Sequence, residues 1–280
     1  MTLSRPEIRR LLDEHGLRPS RSRGQNFVAD PNTVRRIARL AGVGPGDRVV
    51  EIGGGLGSLT LALAETGAQV TTVEVDRGLV PVLRSVVEPS GVTVVEADAM
   101  RLDWDALLGA GLPGGRPWVL VANLPYNVAT PLVADLLDHV PALGRMLVMV
   151  QREVAERLAA GPGDDAYGAV SVKVAYWATA SVAGLVPATV FVPSPNVESA
   201  LVRIERRPVP AVGPEVDRER LFALVGAGFG QRRKMLRRSL AGLVPPSAFA
   251  AADVNPEARA EELDVTAWGR LAAAAPGGAG

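Results

Sequence analysis

The chain has 280 residues, with 30 Lys and Arg against 30 Asp and Glu, no cysteine and two histidines. Zero net charge argues against a protein that coats nucleic acid over its whole surface. The missing cysteines exclude disulfides and thiolate metal sites. His15 and His139 each stand alone, with no partner at ligand spacing, so no metal is expected. The length suits one large domain and one small one. The charge is nevertheless unevenly placed. Residues 1–40 carry nine Arg against four acids, and residues 203–238 carry ten Lys or Arg against four acids. A basic face on a neutral molecule is the footprint of a partner that carries phosphates.

The first twenty residues are charged and hold no apolar run, so no signal peptide is expected and the protein is expected in the cytoplasm. Ile8–Leu17 reads as a short amphipathic helix, followed by a basic linker, Arg18–Arg23. Asp30 is a good N-cap, Pro31 suits the first helical position, and Val34, Ile37, Ala38 and Ala41 recur at helical spacing before Gly42. Arg48–Ile52 is the first buried strand. It runs into Gly53–Gly57 (GGGLG) and then a helix over Ser58–Ala64.

Gly53, Gly55 and Gly57 form GxGxG, a turn that lets a ligand lie against the backbone, and not the GxGxxG of dinucleotide-binding proteins. The second strand, Gln69–Val75, carries Glu74 near its end, where a carboxylate can accept the hydroxyls of a ribose. Val92–Glu96 is followed by Asp98, placed to contact an adenine. A fourth buried strand begins at Val119 and ends on Asn123, Leu124, Pro125 and Tyr126. Ligands sit beyond the carboxyl ends of strands in open α/β sheets, so these four residues are expected at the lip of a site. Asn123 offers a carbonyl acceptor, Pro125 stiffens the turn, and Tyr126 supplies a ring for stacking.

Further on, Met146–Gln151 reads as a fifth strand, Glu153–Ala159 as a helix and Gly161–Asp165 as a loop. Val182–Val186 with Ser199–Glu205 reads as a closing hairpin. The uncharged stretch Val174–Val197 is broken by Gly184, Pro187, Pro193 and Pro195, so it is read as a helix end, a strand and a loop and not as a membrane span. Pro208–Pro214 is a linker. Beyond it, Asp217 can cap a helix bearing Leu221, Phe222, Val225 and Phe229, and Asn255 with Pro256 can start another. A helix beginning near Gln231 is expected to bury Met235, Leu236, Leu240 and Leu243 and to leave Arg233, Lys234, Arg237 and Arg238 facing out. The end of the chain, after about residue 271, is expected to fray.

These motifs together resemble the ribosomal small-subunit RNA adenine dimethyltransferases. The resemblance covers nearly the whole chain: GQNF at 24–27, EIG at 51–53, NLPYN at 123–127, QREV at 151–154, FVPSPNVES at 191–199 and FGQRRK at 229–234. Two positions depart from the family pattern, which usually has Pro at Gly54 and Leu at Val28. The first is expected to loosen the loop by about 0.5–1 kcal/mol of backbone entropy.

The resemblance implies an α/β, Rossmann-like methyltransferase sheet over residues 1–207 and a smaller helical domain over 208–280 that docks on RNA or the ribosome. It implies S-adenosylmethionine as cofactor, held by Asn26, Val28, Gly53, Gly55, Glu74, Asp98 and Asn123. Asn123, Leu124, Pro125 and Tyr126 would then orient the adenine amine, with Phe191 as the second wall of a sandwich around the base. Arg21, Arg23, Arg233, Lys234, Arg237 and Arg238 are assigned to RNA. The implied partner is small-subunit ribosomal RNA or a precursor small-subunit particle, met by a monomer without membrane attachment. Three alternatives are a large-subunit adenine methyltransferase, a catalytically silent RNA-binding assembly factor and a nicotinamide-dependent oxidoreductase.

Overall fold

The computed structural model describes residues 2–20, 24–109 and 115–275. The chain forms two compact units, Met1–Ala155 with Ser181–Glu205, and Glu156–Ala180 with Arg206–Gly280.

In the first unit, Ser4 and Glu7 cap helix α1 (Arg5–Glu14) reciprocally, which starts it earlier than the apolar spacing suggested. Strand β1 (Phe27–Val28) precedes α2 (Pro31–Ala41), which Asp30 caps by accepting from the Thr33 amide. Then follow β2 (Arg48–Ile52), α3 (Ser58–Ala64), β3 (Gln69–Glu74), α4 (Val80–Val87) and β4 (Thr93–Glu96). They are succeeded by α5 (Trp104–Leu108), β5 (Trp118–Asn123), α6 (Ala129–His139), β6 (Leu143–Gln151) and α7 (Arg152–Ala159). After α8 (Ala169–Trp177) the chain returns through β7 (Ala178–Val186), β8 (Phe191–Val192) and β9 (Ser199–Arg206).

Seven strands form one sheet in the order β4-β3-β2-β5-β6-β9-β7, and β1 pairs with β8 in a separate ribbon. The pairs joining β4, β3, β2, β5 and β6 are parallel, and β9 runs antiparallel to β6. From β2 the chain winds outward through β3 and β4, then returns to place β5 on the other side of β2. That reversal is a topological switch point, and it opens a crevice at the carboxyl ends of β2 and β5. Val49, Val50, Val119, Leu120, Val121 and Val148 are buried almost completely, which is why these strands read as continuous apolar runs.

The second unit contains α8, α9 (Arg218–Gly230), α10 (Leu236–Ser239), α11 (Pro246–Ala251) and α12 (Val265–Ala274). A division after residue 207 therefore assigns too little to it. Val172 and Tyr176 of α8 share a buried cluster with Leu221, Leu224 and Trp268.

Three expectations for this unit are corrected. The long helix from Gln231 is reduced to the four residues of α10 because the backbone there pairs elsewhere: the Leu236 and Arg237 amides donate to the Ala258 and Pro256 carbonyls. Leu236 and Leu240 are buried, but Met235 and Leu243 are 40% and 45% exposed. Asn255 does not start a helix. Its side chain closes a turn at the Glu257 amide, and the next α-helix is α12, capped by Asp264 at the Ala267 amide. Finally, α12 runs to Ala274 with Leu271 fully buried, so order extends past the point where fraying was expected. Residues 276–280 lie outside the described residues. No helix is long and apolar enough to cross a membrane among the residues described.

Candidate active site

A cavity of about 310 Å³ lies within the first unit at the carboxyl ends of β2, β3, β4 and β5. Its floor is the glycine turn. Gly53 and Gly55 hold φ of +79° and +58°, a region that disfavours any side chain, and a Cβ on Gly55 would stand 3.0 Å from the Phe27 ring. Gly54 is confined in a different way. A Cβ there would lie 2.4 Å from Thr72 Oγ1 and 2.8 Å from Leu83 Cδ2, so close packing leaves no room for a side chain at this position.

Glu74 ends β3 beneath this turn. One carboxylate oxygen accepts from the Gly55 amide at 2.9 Å and the other from the Asp76 amide at 2.9 Å. Burial raises its pKa, and those two amides restrain the rise. Glu51, on neighbouring β2, also lines the cavity and is 1% exposed. Burial pushes its carboxyl up to about 7, although the Thr60 hydroxyl donates to it at 2.5 Å; the nearby Glu74 adds to the rise. The Thr72 hydroxyl, buried on adjacent β3, also restrains the rise at Glu51, and the buried Ser58 hydroxyl in the cavity wall has no hydrogen-bond partner among the described residues. Asp98 follows β4 and accepts from the Met100 amide.

Over the cavity runs the segment Gly24–Val28. Gln25 donates to Asp76 at 2.7 Å, and the Asn26 carbonyl accepts from the Asn123 side-chain amide at 2.9 Å. Val28 is buried and pairs with Phe191 in the ribbon. Asn26, Val28, Gly53, Gly55, Glu74, Asp98 and Asn123 thus all line one cavity.

Leu124 is buried, its amide committed to the Met149 carbonyl, and Pro125 lines the cavity. Tyr126 does not line it. Its hydroxyl reaches the other way, to Ser199 Oγ at 2.8 Å. Pro125, Asn127 and Val128, on either side of Tyr126 in sequence, all line the cavity. Phe191 corrects an expectation: it is fully buried in the core of the unit, so it has no free face on which a base could stack. Arg21 and Arg23 lie outside the described residues. Arg233, Lys234, Arg237 and Arg238 belong to the second unit and are all exposed, with Arg237 also 3.1 Å from Glu257.

Sequence reasoning left Gln25, Glu51 and Ser199 without roles. A polar residue inside an otherwise apolar strand marks Glu51, and Ser199 stands at a strand start, but neither signal names a ligand. Val75 and Met100, exposed by 59% and 42%, were also missed. Each sits one or two positions after a carboxylate at the cavity wall and offers an apolar surface to a flat ring.

Strand order, glycine turn and carboxylates at successive strand ends define a Rossmann-like methyltransferase. The family described as "Ribosomal RNA adenine dimethylase" matches residues 17–275. The ribosomal RNA small subunit methyltransferase A of Cutibacterium acnes is 50% identical over 271 residues, covering 94% of this chain and 91% of its own. That of Thermobifida fusca is 48% identical over 281 residues, covering 96% and 95%. Among solved structures, the 23S rRNA methyltransferase ErmE aligns with a TM-score of 0.67 at 28% identity, covering 89% of this chain and 99% of that one. A dimethyladenosine transferase from Plasmodium falciparum gives a TM-score of 0.70 at 24% identity over 86% and 94%, a likeness of fold. The chain belongs to the ribosomal RNA adenine dimethylase family.

Proposed function

We propose that this protein transfers methyl groups from S-adenosylmethionine to the exocyclic amines of two adjacent adenines in small-subunit ribosomal RNA, two to each, during assembly of the subunit in the cytoplasm. The observation that carries the reading is the charge of the cavity. Among the described residues lining it are Glu51, Glu74 and Asp98, and there is no Lys, Arg or His. Such a wall suits a cationic ligand and repels a pyrophosphate, which disfavours a nicotinamide dinucleotide.

The residues present fit the cofactor. Glu74 is held by backbone amides and its remaining lone pairs would accept from ribose hydroxyls, Asp98 and Met100 would hold the adenine, and the open glycine turn would admit the chain of atoms between them. When bound, S-adenosylmethionine supplies an already electrophilic methyl on a sulfonium.

The protein's work is then placement. Asn123 donates one amide hydrogen to the Asn26 carbonyl, and its side-chain oxygen remains as the acceptor for an amine hydrogen. The Leu124 carbonyl, carried on the same rigid turn, accepts the other. Holding both hydrogens favours a pyramidal nitrogen aimed at the methyl, and no strong base is needed for an attack on so reactive a group. Tyr126 gives one stacking surface for the displaced base. The exposed Arg233, Lys234, Arg237 and Arg238 contact phosphates, and the protein acts as a monomer.

Relatives named for the small subunit are nearly twice as identical as the large-subunit enzyme ErmE, which favours the small-subunit substrate. Labelled S-adenosylmethionine incubated with separated ribosomal subunits lacking adenine dimethylation tests it. Label in small-subunit RNA is the expected result, and label confined to large-subunit RNA would overturn the reading.

A further inference from the structure

Tyr126 stands in a turn whose backbone is already fixed: Pro125 precedes it, and the Pro125 carbonyl accepts from the Val128 and Ala129 amides. A Cβ at Gly24 would lie 3.4 Å from the Tyr126 nitrogen, so the overlying segment closes on that turn as well. At the other end of the side chain, the phenol oxygen is 2.8 Å from Ser199 Oγ, the ordinary length of an O–H···O bond. Ser199 is fully buried and does not move freely. It opens β9 in register with Gln151 of β6, and the neighbouring Glu198 carbonyl accepts from the Arg152 amide.

We propose that Ser199 is a positioning residue for methyl transfer: it fixes the Tyr126 ring by its hydroxyl so that the target base stacks at one angle, with its amine over Asn123. The inference rests on the function proposed above. A tyrosine held only at its backbone turns about two side-chain bonds, and each turn swings the stacking surface. Held at both ends, the ring has one plane. Among the described residues no aromatic ring stacks on Tyr126, so no ring-on-ring contact duplicates the hold of the hydrogen bond. Burial raises the phenol's pKa, so the group stays a neutral hydroxyl, able to donate or accept in this bond. The pairing is also obligatory for Ser199, since a buried hydroxyl without a partner is costly. Tyr126 and Ser199 lie 73 positions apart in sequence.

The test is steady-state methyl transfer to small ribosomal subunits lacking the modification, by wild type, Ser199→Ala, Tyr126→Phe and the double variant, with S-adenosylmethionine affinity measured alongside by calorimetry. Each single variant is expected to lose about tenfold in kcat, the rate equivalent of one hydrogen bond. KM for the particle and Kd for the cofactor should stay within about twofold, because stacking and cofactor contacts survive. The double variant should be no slower than either single one, since both changes remove the same bond. Wild-type kcat in Ser199→Ala, or losses that multiply in the double variant, would overturn the role. Should Ser199→Ala fail to bind cofactor for want of a fold, Tyr126→Phe decides alone: a wild-type kcat there overturns the inference. A wild-type enzyme that transfers nothing to the particle overturns the underlying function instead, and the inference with it.

Discussion

The Asn123 side-chain amide donates to the main-chain carbonyl of Asn26 across 2.9 Å of space and 97 positions of sequence. One bond thereby ties the end of the central strand β5 to the segment that covers the cavity. It also fixes which end of the amide faces the crevice.

Asn123→Ala removes the acceptor and the tie together. Methyl transfer should fall by about 10²–10³-fold, the usual cost of losing one oriented polar contact in a transition state. Cofactor Kd should rise by a smaller factor, roughly 5–10, as the covering segment loosens. Single-turnover kinetics and calorimetry separate the two effects. Near wild-type turnover in a variant that binds cofactor would remove Asn123 from the chemistry.

Glu51 predicts a pH dependence of stability. An acid whose folded-state pKa lies above its unfolded value is held protonated by folding, so the native state loses stability as pH rises between the two values. For Glu51 that window runs from about 4.5 to about 7. Glu51→Gln removes it. Relative to the wild type, the variant should therefore gain stability on going from pH 5 to pH 8, by at most on the order of 3 kcal/mol. Denaturant unfolding of both proteins at the two pH values checks this, and parallel curves would contradict it.

The packing at Gly54 predicts a coupled pair. Gly54→Ala drives a methyl group onto Thr72 Oγ1 and Leu83, and should cost about 1–3 kcal/mol of stability. In a Thr72→Ala background the first clash is gone, so the same change should cost clearly less. Unfolding free energies of the four proteins in the cycle decide, and simple additivity would refute the coupling.

Much of the first unit was legible because its local signals agree. Arg48–Ile52 and Ser58–Ala64 fall where apolar runs and the glycine turn place them, and Asp30 and Gly42 bound α2 as cap and stop. Gly53, Gly55, Glu74, Asp98 and Asn123 were legible as candidates too, since each stands at or just past the end of a buried strand, whereas Asn26 and Val28 came only with the resemblance. What failed depends on long-range partners. The Gln231–Leu243 pattern is helical by spacing, but the backbone of Leu236 and Arg237 is claimed by residues 256–258, which no local window contains. Phe191 sits in a loop-like, proline-rich motif, and only its pairing with Val28 shows that the ring turns inward. The tie between Tyr126 and Ser199 carries no sequence signal at all.

The exposed cations of the second unit predict a salt effect. Replacing Arg233, Lys234, Arg237 and Arg238 with Gln should weaken binding to small ribosomal subunits and flatten its salt dependence by roughly one unit of slope per lost phosphate contact. Arg237 already pairs with Glu257 at the surface, so it should contribute the least. Cofactor affinity should not change. Binding isotherms across a salt series settle the matter, and lines of equal height and slope would exclude these residues from docking.

The central claim is that this chain dimethylates adenine in small-subunit ribosomal RNA. The most direct test digests that RNA to nucleosides after incubation with S-adenosylmethionine, beginning from particles that lack the modification, and weighs the products by mass spectrometry. The account predicts two N6,N6-dimethyladenosines per particle with the wild type and only a small fraction of that with Asn123→Ala over the same incubation. Methyl groups on a nucleoside other than adenosine, or equal yields from the two proteins, would contradict it.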